Sequence, residues 1–169
     1  CEYHLINSDG TDIADTKDQQ SKPCYDQQAL MRQYPVISQI CDAMIELGWG
    51  PYQNDHEDAN GQFEMNWDFD DALKTADRHV FFKFMVKSIA ELHGMRATFM
   101  PKPFSHLTGN GCHSHISIWN LNGTQNLFDG NNDARDLGLS PLAYQFLGGI
   151  MHSADRLTAI FNPTINSYK

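Results

Sequence analysis

The run QFEMNWDF at 62–69 alternates without a break between apolar and polar residues. In an extended chain successive side chains point to opposite faces, so Phe63, Met65, Trp67 and Phe69 share one face and Gln62, Glu64, Asn66 and Asp68 the other. A helix would scatter both sets around its circumference. Such a strand demands an apolar layer against one face and leaves a polar working face on the other. An antiparallel sheet with helices packed on one side meets both demands.

Neighbouring segments fit that frame. Residues 2–6 read as a strand, and 52–57 as the partner of the alternating run across a turn at 59–61. Residues 7–26 are rich in Ser, Asp, Thr, Lys and Gln and read as a surface loop. A short helix is expected over 27–33. A second, over 35–47, is opened by Pro35, striped by Val36, Ile37, Ile40, Met44 and Leu47, and stopped by Gly48. A long helix over 71–93 is capped by Asp70 or Asp71 and ended by Gly94, with Leu73, Ala76, Val80, Phe84, Ile89 and Leu92 expected to point inward. A short strand at 97–100 stops at the P-K-P of 101–103. GNGCHSHISIW at 109–119 predicts a strand over 112–119 with His113, His115, Ser117 and Trp119 on one face. After a polar excursion at 120–140, Ser140-Pro141 opens a helix running to about 161. The fold class is α+β.

At 169 residues the chain can bury a real core. Its net charge of -9 argues against nucleic acid or an anionic membrane as partner, since both select a basic face. No apolar run approaches the length of a membrane span, and no signal peptide opens the chain. Four cysteines, Cys1, Cys24, Cys41 and Cys112, include no C-x-x-C pair and read as reduced thiols of a cytoplasmic protein. CEYHLI opens as a strand already under way and NPTINSYK closes on no terminal helix, which points to a piece of a longer protein, incomplete at both ends.

Glu2, Glu57, Glu64, His113 and His115 can converge from polar strand faces. Hard oxygen donors with imidazole suit Mg2+ or Mn2+ better than a structural zinc. Gathering them serves phosphoryl transfer, where divalent ions neutralise crowded phosphate oxygens. Taken singly the signals are weak. An H-x-H pair also makes ordinary hydrogen bonds, Glu64 also suits a solvated strand face, and Lys102 also suits a surface position.

Taken together, E-Y-H-L, then D-H-E-x6-E within NDHEDANGQFEMNW, then DALKTADRHVFFKFMVKSIAELHGMRATFMPKP, GNGCHSHIS and NPTINSYK closely resemble the catalytic domain of prokaryotic glutamine synthetases. The resemblance covers nearly the whole chain. ATFMPKP and the G-x-G-x-H-x-H segment are its most specific pieces. The long loop at 7–26 and the wording H-S-H-I-S-I-W resemble the type III branch, which includes γ-glutamylmethylamide synthetases.

The resemblance implies an antiparallel sheet curved into half a barrel with helices outside. It implies that residues 1–169 are the central part of the catalytic domain, with the small N-terminal domain and the C-terminal part absent. It implies a ring-based homo-oligomer, a dodecamer in full-length form, working in the cytoplasm in nitrogen metabolism. Glutamate, ATP and ammonia or methylamine are the implied substrates, with two Mg2+ or Mn2+ ions per site. The γ-carboxylate of glutamate attacks the γ-phosphate of ATP, and an amine then displaces phosphate from γ-glutamyl phosphate.

Carried over by position, Glu2, Glu57 and Glu64 hold the first metal, which orients glutamate and the amine. His113 is a ligand of the second metal. His115 points at the transferring phosphate, so Glu57, Glu64 and His115 form the catalytic set, and Ser117 joins His115 at ATP. Thr108 and Gly109 meet the amino-acid substrate. Thr108 replaces an Asn of the family pattern, Cys112 a Met, and Asp55 the first His of H-H-E. The implied activity is glutamate–ammonia ligase. The alternatives are methylamine as acceptor, a non-catalytic structural homologue, and a generic H-x-H metal module. This piece alone is expected to be inactive.

Overall fold

The computed structural model describes residues 1–169 as two compact units, residues 1–112 with Lys169, and residues 113–168. The first unit contains β1 (Glu2–Ile6), α1 (Gln27–Arg32), α2 (Tyr34–Glu46), β2 (Pro51–His56), β3 (Gln62–Trp67), α3 (Ala72–Leu92) and β4 (Arg96–Thr98). The strands form one four-stranded sheet in the order β2-β3-β1-β4. Every neighbouring pair is antiparallel. The α+β expectation therefore holds, as an open sheet flanked by helices.

The alternation in β3 divides the sheet as expected. Phe63 and Met65 are buried with Tyr3 and Leu5 of β1 and Ala97 of β4, and they pack against Val36, Ile37, Ile40 and Met44 of α2 and Phe82, Met85, Val86 and Ile89 of α3. Burying one such side chain fully is worth about 1.5–3 kcal/mol. The strand ends at Trp67, however, and Phe69 lies beyond it, exposed.

Helix α3 has the expected bounds but turns a different face to the sheet. Phe82, Met85, Val86, Ile89 and Ala90 are buried, whereas Leu73, Val80, Phe84 and Leu92 are exposed and Ala76 lies outward with them. The helix carries two apolar stripes. The one containing Phe82 wins because its ring meets Tyr3, Trp67 and Phe99 at centroid distances of 6.2, 5.0 and 6.0 Å. The N-cap residue is Asp71, but its side chain makes no capping bond. Asp70 instead pairs with Lys74 at 2.7 Å and Arg78 at 2.8 Å, placing negative charge at the helix N-terminus.

The loop at 7–26 is tied down rather than freely solvated. Arg32 Nε donates to Asp15 Oδ2 at 2.6 Å. Asp18, buried, accepts from Asn60 Nδ2 at 2.9 Å and Gly61 N at 2.6 Å, and lies 2.6 Å from His56 Nε2.

In the second unit the expected strand at 112–119 does not form. Its only pairing is an isolated bridge between Trp119 and Asn126. The chain reverses at 120–125, with Asn120 N donating to Gln125 O and Leu127 N to Ile118 O, and no segment runs alongside residues 112–117. Without a partner ladder, sequence alternation alone does not hold a strand. Helix α4 (Pro141–Phe161) follows, capped by Ser140, whose hydroxyl accepts from Ala143 N at 3.2 Å. A 3-10 turn at Ile165–Tyr168 ends the unit. No helix is long and apolar enough to cross a membrane.

Candidate active site

The polar face of the sheet is built by register. Glu2 of β1 stands directly opposite Glu64 of β3, and Asp55 of β2 opposite Glu64 from the other side. Directly opposed residues share a face, and Glu57, two residues beyond Asp55, falls on it as well. The turn holds Glu57 at the strand end, since its N–H donates to Gln62 O at 2.9 Å. Glu2, Glu57 and Glu64 are all half-buried.

Like charges gathered this way resist ionisation. Burial, a hydrogen bond with Glu64 and the negative field of Glu2 and Glu64 push the Glu57 carboxyl up to about 7, although Asp58 N–H donates to it at 3.1 Å and works the other way. The donor set of the three side chains is all oxygen, and Glu2 and Glu64 stand directly opposed. A hard divalent ion fits these residues, because it prefers carboxylate ligands and offsets their mutual repulsion.

Gln62 organises the site without having stood out in the sequence. Its buried amide nitrogen lies 3.1 Å from Glu2 Oε2, 2.9 Å from Gly109 O and 3.0 Å from Asn110 Oδ1, while its oxygen accepts from Ala59 N at 3.0 Å. Glu2 Oε2 also accepts from Gly111 N at 2.7 Å. Asn110 donates onward to Met100 O at 2.9 Å and accepts at 2.9 Å from His4 Nδ1. His4 is buried, and that burial lowers its pKa to about 4, leaving a neutral ring whose Nε2 has no partner. The alternation assigns Gln62 to the polar face along with Glu64, and no pattern marks Asn110 within the G-N-G turn.

Gly109 is required sterically. A Cβ there would lie 2.3 Å from Pro101 O. Lys102 Nζ donates to Leu107 O, and Thr108 Oγ1 donates to Asp58 Oδ2 at 2.8 Å, which ties the 104–111 loop to the turn carrying Glu57. The first unit thus brings together Glu2, Glu57, Glu64, Thr108 and Gly109. His113, His115 and Ser117 belong to the second unit, where they are exposed and share no strand face. Ser117 Oγ accepts from Trp119 Nε1 at 2.9 Å.

Residues 2–169 match the family model for the glutamine synthetase catalytic domain. The chain is 67% identical over 168 residues to the glutamine synthetase of Rhizobium meliloti (strain 1021), covering 99% of this chain and 38% of that protein. It is 46% identical over 156 residues to the glutamate–methylamine ligase of Methyloversatilis universalis, covering 92% of this chain and 35% of that one. A solved structure described as a GmaS/ADP complex superposes with a TM-score of 0.96 at 67% identity, covering 100% of this chain and 38% of that one. The chain therefore spans well under half the length of the relatives it matches. With the three carboxylates on one sheet face and a catalytic-domain match from Glu2 to Lys169, the chain belongs to the glutamine synthetase family.

Proposed function

We propose that the protein containing this chain is an ATP-dependent carbon–nitrogen ligase that joins an amine to the γ-carboxylate of glutamate, with ammonia as acceptor. The observation that carries this reading is the shared face of Glu2, Glu57 and Glu64, where burial and the neighbouring carboxylates push the Glu57 carboxyl up to about 7. The 67% identity to a protein named glutamine synthetase supports it. The likeness to an ADP complex supports a nucleotide substrate.

Glu2, Glu57 and Glu64 would hold one Mg2+ or Mn2+, and His113 would contribute to a second. When bound, such ions neutralise phosphate oxygens and orient the reacting groups. His115 and Ser117 would face the ATP phosphates, and Thr108 and Gly109 the amino acid. A γ-carboxylate oxygen of glutamate attacks the γ-phosphorus, and the bond to the β,γ-bridging oxygen breaks, releasing ADP. Ammonia then attacks the γ-carbonyl carbon, phosphate leaves, and one proton is released. In this reading the role of this chain's residues is to position the acid. In this reading residues 1–169 are the central part of the catalytic domain, and the whole protein works as a ring-based homo-oligomer in the cytoplasm.

Methylamine is the second reading for the acceptor, favoured by the 46% identity to a glutamate–methylamine ligase. The test is ADP release by the full-length protein with glutamate and either amine. Faster release with ammonia supports the main reading, and faster release with methylamine replaces it with the second. No release with either, from folded protein that still binds Mn2+, overturns both in favour of a structural homologue.

A further inference from the structure

Cys1, His79 and Cys112 converge away from the carboxylate face, and their ligating atoms all lie within 4.8 Å of one another. Cys1 packs against the apolar core between sheet and helices, and His79 projects from α3 in the layer that covers that core. Glu2, one residue on, turns to the opposite face of β1. The cluster is thus a separate set of donors, distinct in position and in chemistry. All four cysteines are free, so neither thiol is committed to a disulfide.

We propose that Cys1, His79 and Cys112 bind a zinc ion through two thiolates and one imidazole, with a fourth position open to water. Sulfur and imidazole donors select Zn2+ over Mg2+ or Mn2+. In a tetrahedral site with bonds of about 2.0–2.3 Å, neighbouring donors stand roughly 3.4–3.8 Å apart. The observed spread is about 1 Å wider, a closure that side-chain rotation supplies, and the Cys112 side chain is exposed. The site also has a mechanical consequence. Glu2 N donates to Gly111 O at 3.3 Å, and Gly111 N donates to Glu2 Oε2 at 2.7 Å. Cys1 and Cys112 flank that pair of residues in the chain. An ion joining them braces the strand end that presents Glu2 and ties it to α3. This inference is independent of the proposed ligase activity.

The experiment uses the reduced full-length protein with excess Mg2+ present, so that oxygen sites are filled. Co2+ is titrated in as a spectroscopic substitute for Zn2+. A thiolate-to-cobalt charge-transfer band that saturates at one ion per chain and is bleached by Zn2+ is expected. Cys112→Ser should lose most of that band, and His79→Gln should weaken cobalt binding at least about tenfold. A second measurement needs no variant. Zn2+ should slow alkylation of Cys112 while leaving exposed Cys24 unchanged, read peptide by peptide by mass spectrometry. Absence of a thiolate band, a band untouched by Cys112→Ser, or equal protection of Cys24 and Cys112 would each overturn the proposal.

Discussion

His56 Nε2 lies 2.6 Å from Asp18 Oδ2, with both side chains buried, while His56 Nδ1 meets Glu57 O at 2.9 Å. One imidazole therefore links the 7–26 loop to the backbone of a carboxylate on the site face. Burial alone would lower the His56 pKa, but the hydrogen bond and charge of Asp18 outweigh it, and the net shift is upward. Asp18 resists ionisation through burial, yet hydrogen bonds from His56, Asn60 and Gly61 hold it below the usual carboxylate range. The stabilisation carried by His56 is complete below its ordinary 6.5 and is lost as pH rises through its raised value. That carried by Asp18 is complete above its ordinary 3.8 and is lost as pH falls through its lowered value. Asp18→Ala is expected to cost about 3–5 kcal/mol between those limits, because it strands a buried imidazole. Urea denaturation of both proteins across pH checks this. A difference that stays constant into strongly alkaline solution would show that the pair carries no charge.

Gln62→Ala removes the amide that serves Glu2, Gly109 and Asn110. Leaving those acceptors under-satisfied should cost about 1–3 kcal/mol. Because the amide orients Glu2, divalent-ion affinity should fall roughly 10–100-fold. Mn2+ titration of the full-length protein measures it. Unchanged affinity in a destabilised but folded variant would confine Gln62 to a packing role.

Divalent-ion binding should release a proton from Glu57. With its carboxyl pushed up to about 7, the metal-free site is largely protonated below that pH, and an ion must displace the proton. Affinity should rise with pH and level off above about 7. The metal-free protein should behave oppositely. Because the folded value is raised, the carboxyl's contribution to stability is lost as pH rises from its ordinary 4.5 through about 7. Calorimetric titration in buffers of different ionisation enthalpy counts the protons, and Glu57→Gln should abolish the release. Equal release from Glu57→Gln would assign the proton elsewhere.

Gly109→Ala and Gly148→Ala should differ in sign. A Cβ at Gly109 meets Pro101 O at 2.3 Å, in a turn where Asn110 N also donates to that oxygen at 2.7 Å, so the backbone must shift. A cost of about 1–3 kcal/mol is expected. A Cβ at Gly148, inside α4, meets nothing within 4 Å, and alanine there should stabilise by roughly 0.5–1 kcal/mol. Thermal unfolding of both variants compares them. Equal melting temperatures would remove the steric argument for Gly109.

Much of this molecule was legible in its residues. The period of 62–67, the Pro35 and Gly48 boundaries of α2 and the Ser140-Pro141 start of α4 are local signals, and local sterics answer them. Glu2, Glu57 and Glu64 were legible as candidates because alternation assigns each to a polar face. The inward face of α3 was not. Two apolar stripes wind around that helix, and only the aromatic cluster of Tyr3, Trp67 and Phe99 chooses the one containing Phe82. The segment at 112–119 misled for a related reason. Alternation proposes a strand, but a strand forms only beside another, and within residues 1–169 the sole pairing of this segment is the bridge from Trp119 to Asn126.

What the sequence determined by itself is therefore the helices, the four strands of the first unit and the two-faced character of their sheet, since these follow from steric and hydrophobic periodicity within a few residues. The tertiary structure decided the register that sets Glu2 against Glu64, the burial that raises Glu57, the seating of Asp18 under His56 and the meeting of Cys1, His79 and Cys112. Those relations join residues many positions apart, and desolvation, hydrogen bonding and charge act on distance in space, which a linear chain does not display.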